Sequence, residues 1–183
     1  IAEETARGAG VSIMPYNNPD AAGYHAISTE LLLKLATLPN VTALKISTID
    51  VSIIETMLLA NKDLKILAGV DTVTVHAGLA GAIGGITGVG CIFPKASVTM
   101  QEYVSNGQWA EANKISQALN SLSYLDAQPL LMEYLKLAMG IHHNDVAGGL
   151  RTFGKKLTQQ QIDDVHARYI LARERLEVLD LIG

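Results

Sequence analysis

The chain has 183 residues, 49% of them hydrophobic and 17% charged. That composition excludes intrinsic disorder and admits one large domain or two small ones. The net charge of −4, from 14 Lys+Arg against 18 Asp+Glu, leaves no basic stripe and argues against a nucleic-acid partner. The single cysteine, Cys91, excludes an intramolecular disulfide framework and fits a reducing compartment, so the cytoplasm is expected.

The chain opens Ile1-Ala2-Glu3-Glu4-Thr5, with no basic n-region and no apolar h-region, so no signal peptide is read there. The opening reads as mid-helix and leads us to expect an upstream segment. Val11 to Met14 is a short apolar run stopped by Pro15-Tyr16-Asn17-Asn18-Pro19, which predicts a strand ending before Pro15. Ser28 is placed to cap a helix carrying leucines at 31, 32, 35 and 38, and Pro39-Asn40 ends it. Val41 to Ser47 predicts a second strand, and Asp50 a cap for a helix running to Leu59. Leu64 to Ala68 predicts a third strand, Thr72 to Ala82 a helix, and Gly84 to Val89 a fourth strand.

The stretch from Thr72 to Pro94 carries no Asp, Glu, Lys or Arg. It is rich in glycine and has no Trp or Tyr at either end, so a buried helix, turn and strand are expected rather than a membrane span. Beyond Pro94 the chain reads as helical. Ser97 to Tyr124 predicts one long helix or two, Pro129 to Ala138 another with Gly140 as its C-cap, and Thr158 with Gln161 a capping box for a last helix to Leu181.

Strands starting near residues 11, 41, 64 and 84 are spaced as βα units. Strands apolar on both faces and alternating with helices form parallel sheets. Four such units fit a three-layer sheet or half of an eight-stranded barrel.

Parallel α/β folds place their chemistry at the C-terminal strand ends. There stand Tyr16, Lys45, Gly69 and Thr87-Gly88. Lys45 lies among apolar neighbours, with Ala43 and Ser47 on its face of the pleat and Leu44 and Ile46 on the other. A lysine so placed can attack a carbonyl as a neutral amine and form a Schiff base. It can also snorkel from a strand end to water. Tyr16 can relay protons or simply sit half-buried above a turn. The glycines at 84, 85, 88 and 90 could bring backbone N–H groups to a carboxylate, or only relieve crowding. His142-His143 reads as an exposed loop, His25, His76 and His166 as isolated, and Cys91 as a buried inert thiol. Neither a metal nor an organic cofactor is implied.

Four motifs in register carry a resemblance: Tyr16-Asn17-Asn18-Pro19-x-x-x-Gly23, Leu44-Lys45-x-Ser47-Thr48-x-Asp50, Leu67-Ala68-Gly69-x-Asp71, and Gly84-Gly85-Ile86-Thr87. Together they resemble the dihydrodipicolinate synthase / N-acetylneuraminate lyase superfamily over roughly residues 1–95. The resemblance implies a TIM (β/α)8 barrel, represented here by strands five to eight plus a C-terminal helical extension. Residues 1–95 would be the second half of the barrel, and 96–183 its last helix and the helical region. The half carrying the family's threonine pair and second tyrosine would be absent from the chain.

The resemblance also implies class I aldolase chemistry on pyruvate or another 2-oxo acid. Lys45 would be the Schiff-base lysine and Tyr16 the proton relay. Ile86, Gly69, Ser47 and Thr87 would bind substrate, in a homotetramer. Synthases of the family carry an arginine two residues after the motif's proline, where this chain has Ala21. Glu or an aromatic residue commonly follows the lysine, where this chain has Ile46. These departures favour a 2-oxo-3-deoxy sugar acid, cleaved or dehydrated, over dihydrodipicolinate synthesis proper. The other readings are a non-catalytic α/β binding domain and a half-barrel that pairs with itself.

Overall fold

The computed structural model describes residues 11–19, 23, 25–127, 130–144 and 156–182. The chain divides into two compact units, Ile1–Ile86 and Thr87–Gly183.

In the first unit, β1 (Tyr16–Asn17), β2 (Leu44–Ile46), β3 (Ile66–Ala68) and β4 (Gly84–Gly85) form one parallel sheet in the order β1-β2-β3-β4. Parallel neighbours cannot be joined by a hairpin, and helices make the crossovers. They are α1 (Thr29–Ala36), α2 (Val51–Ala60) and α3 (Thr74–Leu79), the last preceded by a 3-10 turn at Asp71–Val73. Ser28 caps α1 by accepting from the Leu31 N–H, and Asp50 caps α2 by accepting from Ser52. Each such cap satisfies an amide that the helix leaves orphaned. The period of two then sorts the strands' side chains. Leu44, Ile46, Ile66 and Ala68 are buried with Leu32, Ile54, Met57 and Ala77 in one apolar core. Lys45 and Leu67 lie half-buried on the opposite face, paired in register.

The first strand departs from the sequence expectation. Ile13 makes only an isolated bridge to Val41, and regular pairing begins beyond Pro15, at Tyr16. Pro15 has no N–H to donate, but its carbonyl accepts from the Lys45 N–H at 2.9 Å. The missing N–H forfeits one ladder bond, but the carbonyl keeps the chain beside β2, and pairing runs on through Tyr16 and Asn17, whose carbonyl accepts from the Ser47 N–H at 2.9 Å. The other strands are also shorter than predicted. The fourth shrinks from Gly84–Val89 to Gly84–Gly85, because Gly88 turns helical and starts a 3-10 turn at Val89–Cys91. The helix predicted from Thr72 to Ala82 ends at Leu79, and Gly81 follows it with φ +108°. That region of backbone space favours glycine.

In the second unit the chain is helical. α4 (Pro94–Ser105) and α5 (Trp109–Ser123) are two helices, separated where Gly107 takes φ +71°. A short 3-10 turn, Tyr124–Ala127, follows. α6 (Leu131–His142) runs through Gly140 instead of ending there, because Asn144, with φ +51°, supplies the left-handed residue past its end. α7 (Gln159–Val178) starts with the predicted Thr158–Gln161 capping box. It stops short of Leu181, where the Leu181 N–H returns to the Leu176 carbonyl at 2.9 Å around a left-handed Asp180. Cys91 is exposed, not buried, because Val89 and Ile92 take the inward positions of that turn.

His142 is not an exposed loop residue either. It is the last residue of α6 and half-buried, with Nδ1 3.0 Å from the Tyr169 hydroxyl on α7. The Phe93 ring lies edge-on to it at 4.8 Å and stacks on Tyr169 at 5.6 Å. Burial lowers the His142 pKa from the ordinary histidine value, and the charges of His143 and Arg173 lower it further. The unfolded chain then binds a proton on this group that the folded chain resists. Stability from His142 is therefore present above about pH 6.5 and is lost as the pH falls through the lowered value. In thermal melts of the full-length protein, any stability advantage of the parent over His142→Gln is expected to shrink on acidification. A gap independent of pH would contradict the assignment.

Among the described residues no helix is long and apolar enough to cross a membrane. No three His, Cys, Asp or Glu side chains among them cluster as a metal site would require.

Candidate active site

The C-terminal ends of β1, β2 and β3 bring four of the predicted site residues together. Tyr16 and Lys45 are opposite one another in the β1–β2 register. The Lys45 Nζ stands over the Tyr16 ring, 4.0 Å from its centroid. An ammonium on a ring face is held there by the ring's quadrupole. Leu44 and Ile46 bury the helix-facing side of β2, so the pleat turns Lys45 to the other side.

The Tyr16 hydroxyl does not point at Lys45. It lies 2.9 Å from Ser47 Oγ, and the Asn18 Nδ2 donates to it at 2.8 Å. Ser47 Oγ in turn donates to the Gly69 carbonyl at 3.3 Å. Three strand ends are thereby linked by side-chain hydrogen bonds. In the sequence Asn18 stands only as one residue of the Tyr16-Asn17-Asn18-Pro19 motif, with no role implied. The available signal was its place two residues after Tyr16, which puts both side chains on one face.

Gly69 is required by close approach. A Cβ there would overlap Ser47 Oγ and stand 3.1 Å from the Ser47 Cα. Gly69→Ala is expected to push β2 and β3 apart or expel the Ser47 hydroxyl, with a loss of about 1–3 kcal/mol. Denaturant unfolding would measure it, and Ser47→Ala in the same chain should recover part of the loss. Gly69→Ala with unchanged stability would contradict the packing.

Ile86 follows β4 and donates its N–H to the Ala68 carbonyl at 2.9 Å, with its side chain 44% exposed. Thr87 begins the second unit, where its hydroxyl lies beside Gly90, and it is not one of the linked residues. Of the motif residues, Asp50 caps α2 and Thr48 Oγ1 accepts from the Asp50 N–H at 3.0 Å, so this pair shapes the turn. Ile46, 1% exposed, lies in the helix-facing core. Ala21 lies outside the described residues.

A family model described as "Dihydrodipicolinate synthetase family" matches residues 2–168. The 4-hydroxy-tetrahydrodipicolinate synthase of Sulfurihydrogenibium sp. (strain YO3AOP1) is 29% identical over 145 residues, covering 77% of this chain and 48% of that protein. The Ruminococcus gnavus sialic acid aldolase, solved as a catalytic lysine mutant, superposes with a TM-score of 0.79 at 22% identity. That match covers 94% of this chain and 57% of the aldolase. The Sulfolobus solfataricus 2-keto-3-deoxygluconate aldolase, solved in complex with L-2-keto, 3-deoxy-galactonate, gives 0.83 at 13% identity. It is matched over 99% of this chain and 60% of its own. The chain spans about half the length of the curated relatives it matches. The structural likeness makes this an α/β fold of TIM-barrel type with a parallel sheet. With the model match running through most of the sequence, the chain belongs to the dihydrodipicolinate synthetase family.

Proposed function

We propose that this chain carries the Schiff-base half of a class I aldolase or lyase acting on 2-oxo acids. One observation carries the reading. Lys45 and Tyr16 meet at adjacent C-terminal strand ends, the Nζ 4.0 Å from the ring centroid, with the phenol tied to Ser47. The Lys45 amine would attack the substrate's C2 carbonyl, and loss of water would leave an iminium. The iminium draws in the electron pair released when the C3–C4 bond breaks or when a C3 proton leaves. Tyr16 would carry the proton between substrate and solvent, as a group that both donates and accepts.

The preferred substrate class is a 2-oxo-3-deoxy sugar acid, cleaved or dehydrated. Ala21 standing where the family's synthases have arginine supports it, as does the name of the Sulfolobus aldolase with its bound deoxy sugar acid. Synthase activity is the second reading, favoured by the names of the curated relatives. Ile86, Gly69, Ser47 and Thr87 are proposed to contact substrate. The four strands are proposed to be strands five to eight of the barrel, with residues 1–95 its second half and 96–183 the helical remainder. A barrel takes eight strands, so the other four would come from the rest of a longer polypeptide or from a separate N-terminal half. A cytoplasmic homotetramer belongs to the same reading.

The test is turnover by the full-length protein of a panel of 2-oxo-3-deoxy sugar acids, followed by proton NMR. Consumption with release of pyruvate identifies the aldolase, and consumption with loss of water the dehydratase. An untouched panel would overturn the substrate class.

A further inference from the structure

We propose that Asn18 is a positioning residue for Tyr16, setting the direction of the hydrogen-bond chain that runs through the phenol. The inference rests on the catalytic reading of Tyr16 given above and adds a residue to it. Its basis is a count of protons. The Gly69 carbonyl can only accept, so the one Ser47 hydroxyl proton goes there, across 3.3 Å. The Ser47 oxygen, 2.9 Å from the phenol, must then accept from Tyr16. The phenolic oxygen has thereby given its proton and can only accept. The Asn18 Nδ2, 2.8 Å away, has N–H groups to donate and meets that need. The chain therefore runs in one direction, from Asn18 through Tyr16 and Ser47 to the Gly69 carbonyl. Turning the amide over would set its oxygen against a phenol with no proton left to give.

The backbone puts Asn18 in place. Side chains two apart share a face of an extended strand. Pro19 follows, and a residue before proline is held to extended conformations. Asn17, between them, points the other way. It is buried, accepting from the Ile27 N–H at 2.9 Å and donating to the Ile27 carbonyl at 3.4 Å. The two asparagines thus divide the work, one anchoring the loop and one facing the phenol. To protonate the substrate the Tyr16 hydroxyl must turn its one proton away from Ser47, and the oxygen left behind is then negative. A fixed donor to that oxygen is strengthened by the charge.

The experiment compares the full-length parent with Asn18→Leu and Asn18→Asp. Both substitutions keep the size of the side chain. The first removes the donor, and the second replaces it with an acceptor. Exchange of pyruvate methyl protons in D2O, read by proton NMR, reports the proton step. Borohydride trapping of pyruvate reports the imine separately. Both variants are expected to lose exchange roughly 10- to 100-fold in kcat, with KM and the trapping end point close to the parent's. Parent-like exchange in either variant overturns the proposal while the lyase reading stands. So does a loss of exchange that comes with collapsed thermal stability in both variants, since that marks a structural role. Absence of both trapping and exchange in the parent overturns the lyase reading, and this proposal with it.

Discussion

Lys45→Met in the full-length protein is expected to abolish turnover and borohydride trapping while leaving the protein folded. Methionine matches the length of the lysine stem and needs no charge partner. Lys45 is half-buried and spends its apolar carbons on the open side of β2, opposite Leu44 and Ile46. Removing the amine therefore takes little from the core. It removes the only atom of this side chain that can bond to a carbonyl carbon. Lys45→Arg separates the catalytic reading from the structural one. Arginine keeps the charge over the Tyr16 ring and can still snorkel, but it stays protonated and cannot form the imine. A structural lysine would be replaced by arginine with activity retained. A Schiff-base lysine would not, and Arg and Met would fail alike. The comparison is read as kcat/KM on the same substrate, with thermal melts as the control.

Tyr16→Phe is the second large effect. The ring that lies under the Lys45 Nζ remains, so the cation–π contact is kept. Only the hydroxyl goes, and with it the bonds to Ser47 and Asn18. Because Tyr16 is 43% exposed, little folding energy is at stake. General acid–base groups contribute about 10²–10⁴ in rate, and a fall of that size in kcat is expected. Trapping with pyruvate should proceed to the same end point, since the amine is untouched. A kcat within about threefold of the parent's would remove Tyr16 from the proton path. Loss of trapping together with turnover would show that the hydroxyl is needed to form the imine itself.

Much of this arrangement was legible in the sequence, and the reasons are local. Strands β2 and β3 are written as apolar runs, and the period of two alone turns Lys45 and Ser47 away from Leu44 and Ile46. The caps at Ser28, Asp50 and Thr158 follow from side chains that can accept from an orphan amide. What was not legible depends on partners distant in sequence. Pro15 reads as a strand stop until Lys45 is seen donating to its carbonyl, 30 residues away by number. His142 reads as loop because Gly140 looks like a cap, yet Asn144 ends the helix and Tyr169 on another helix receives the ring. Cys91 reads as buried because its neighbours are apolar, but a turn exposes one residue in three or four. The bond from Asn18 to the phenol depends on the chain pairing beyond Pro15, a residue that by itself reads as the end of a strand.

The account turns on one covalent bond. The full-length protein would be incubated with pyruvate and borohydride, digested, and the peptide containing Lys45 weighed. The account predicts an irreversible pyruvate adduct on that peptide and on no other, absent when borohydride is omitted. An unmodified Lys45 peptide from protein that folds, or an adduct on a different lysine, would contradict it.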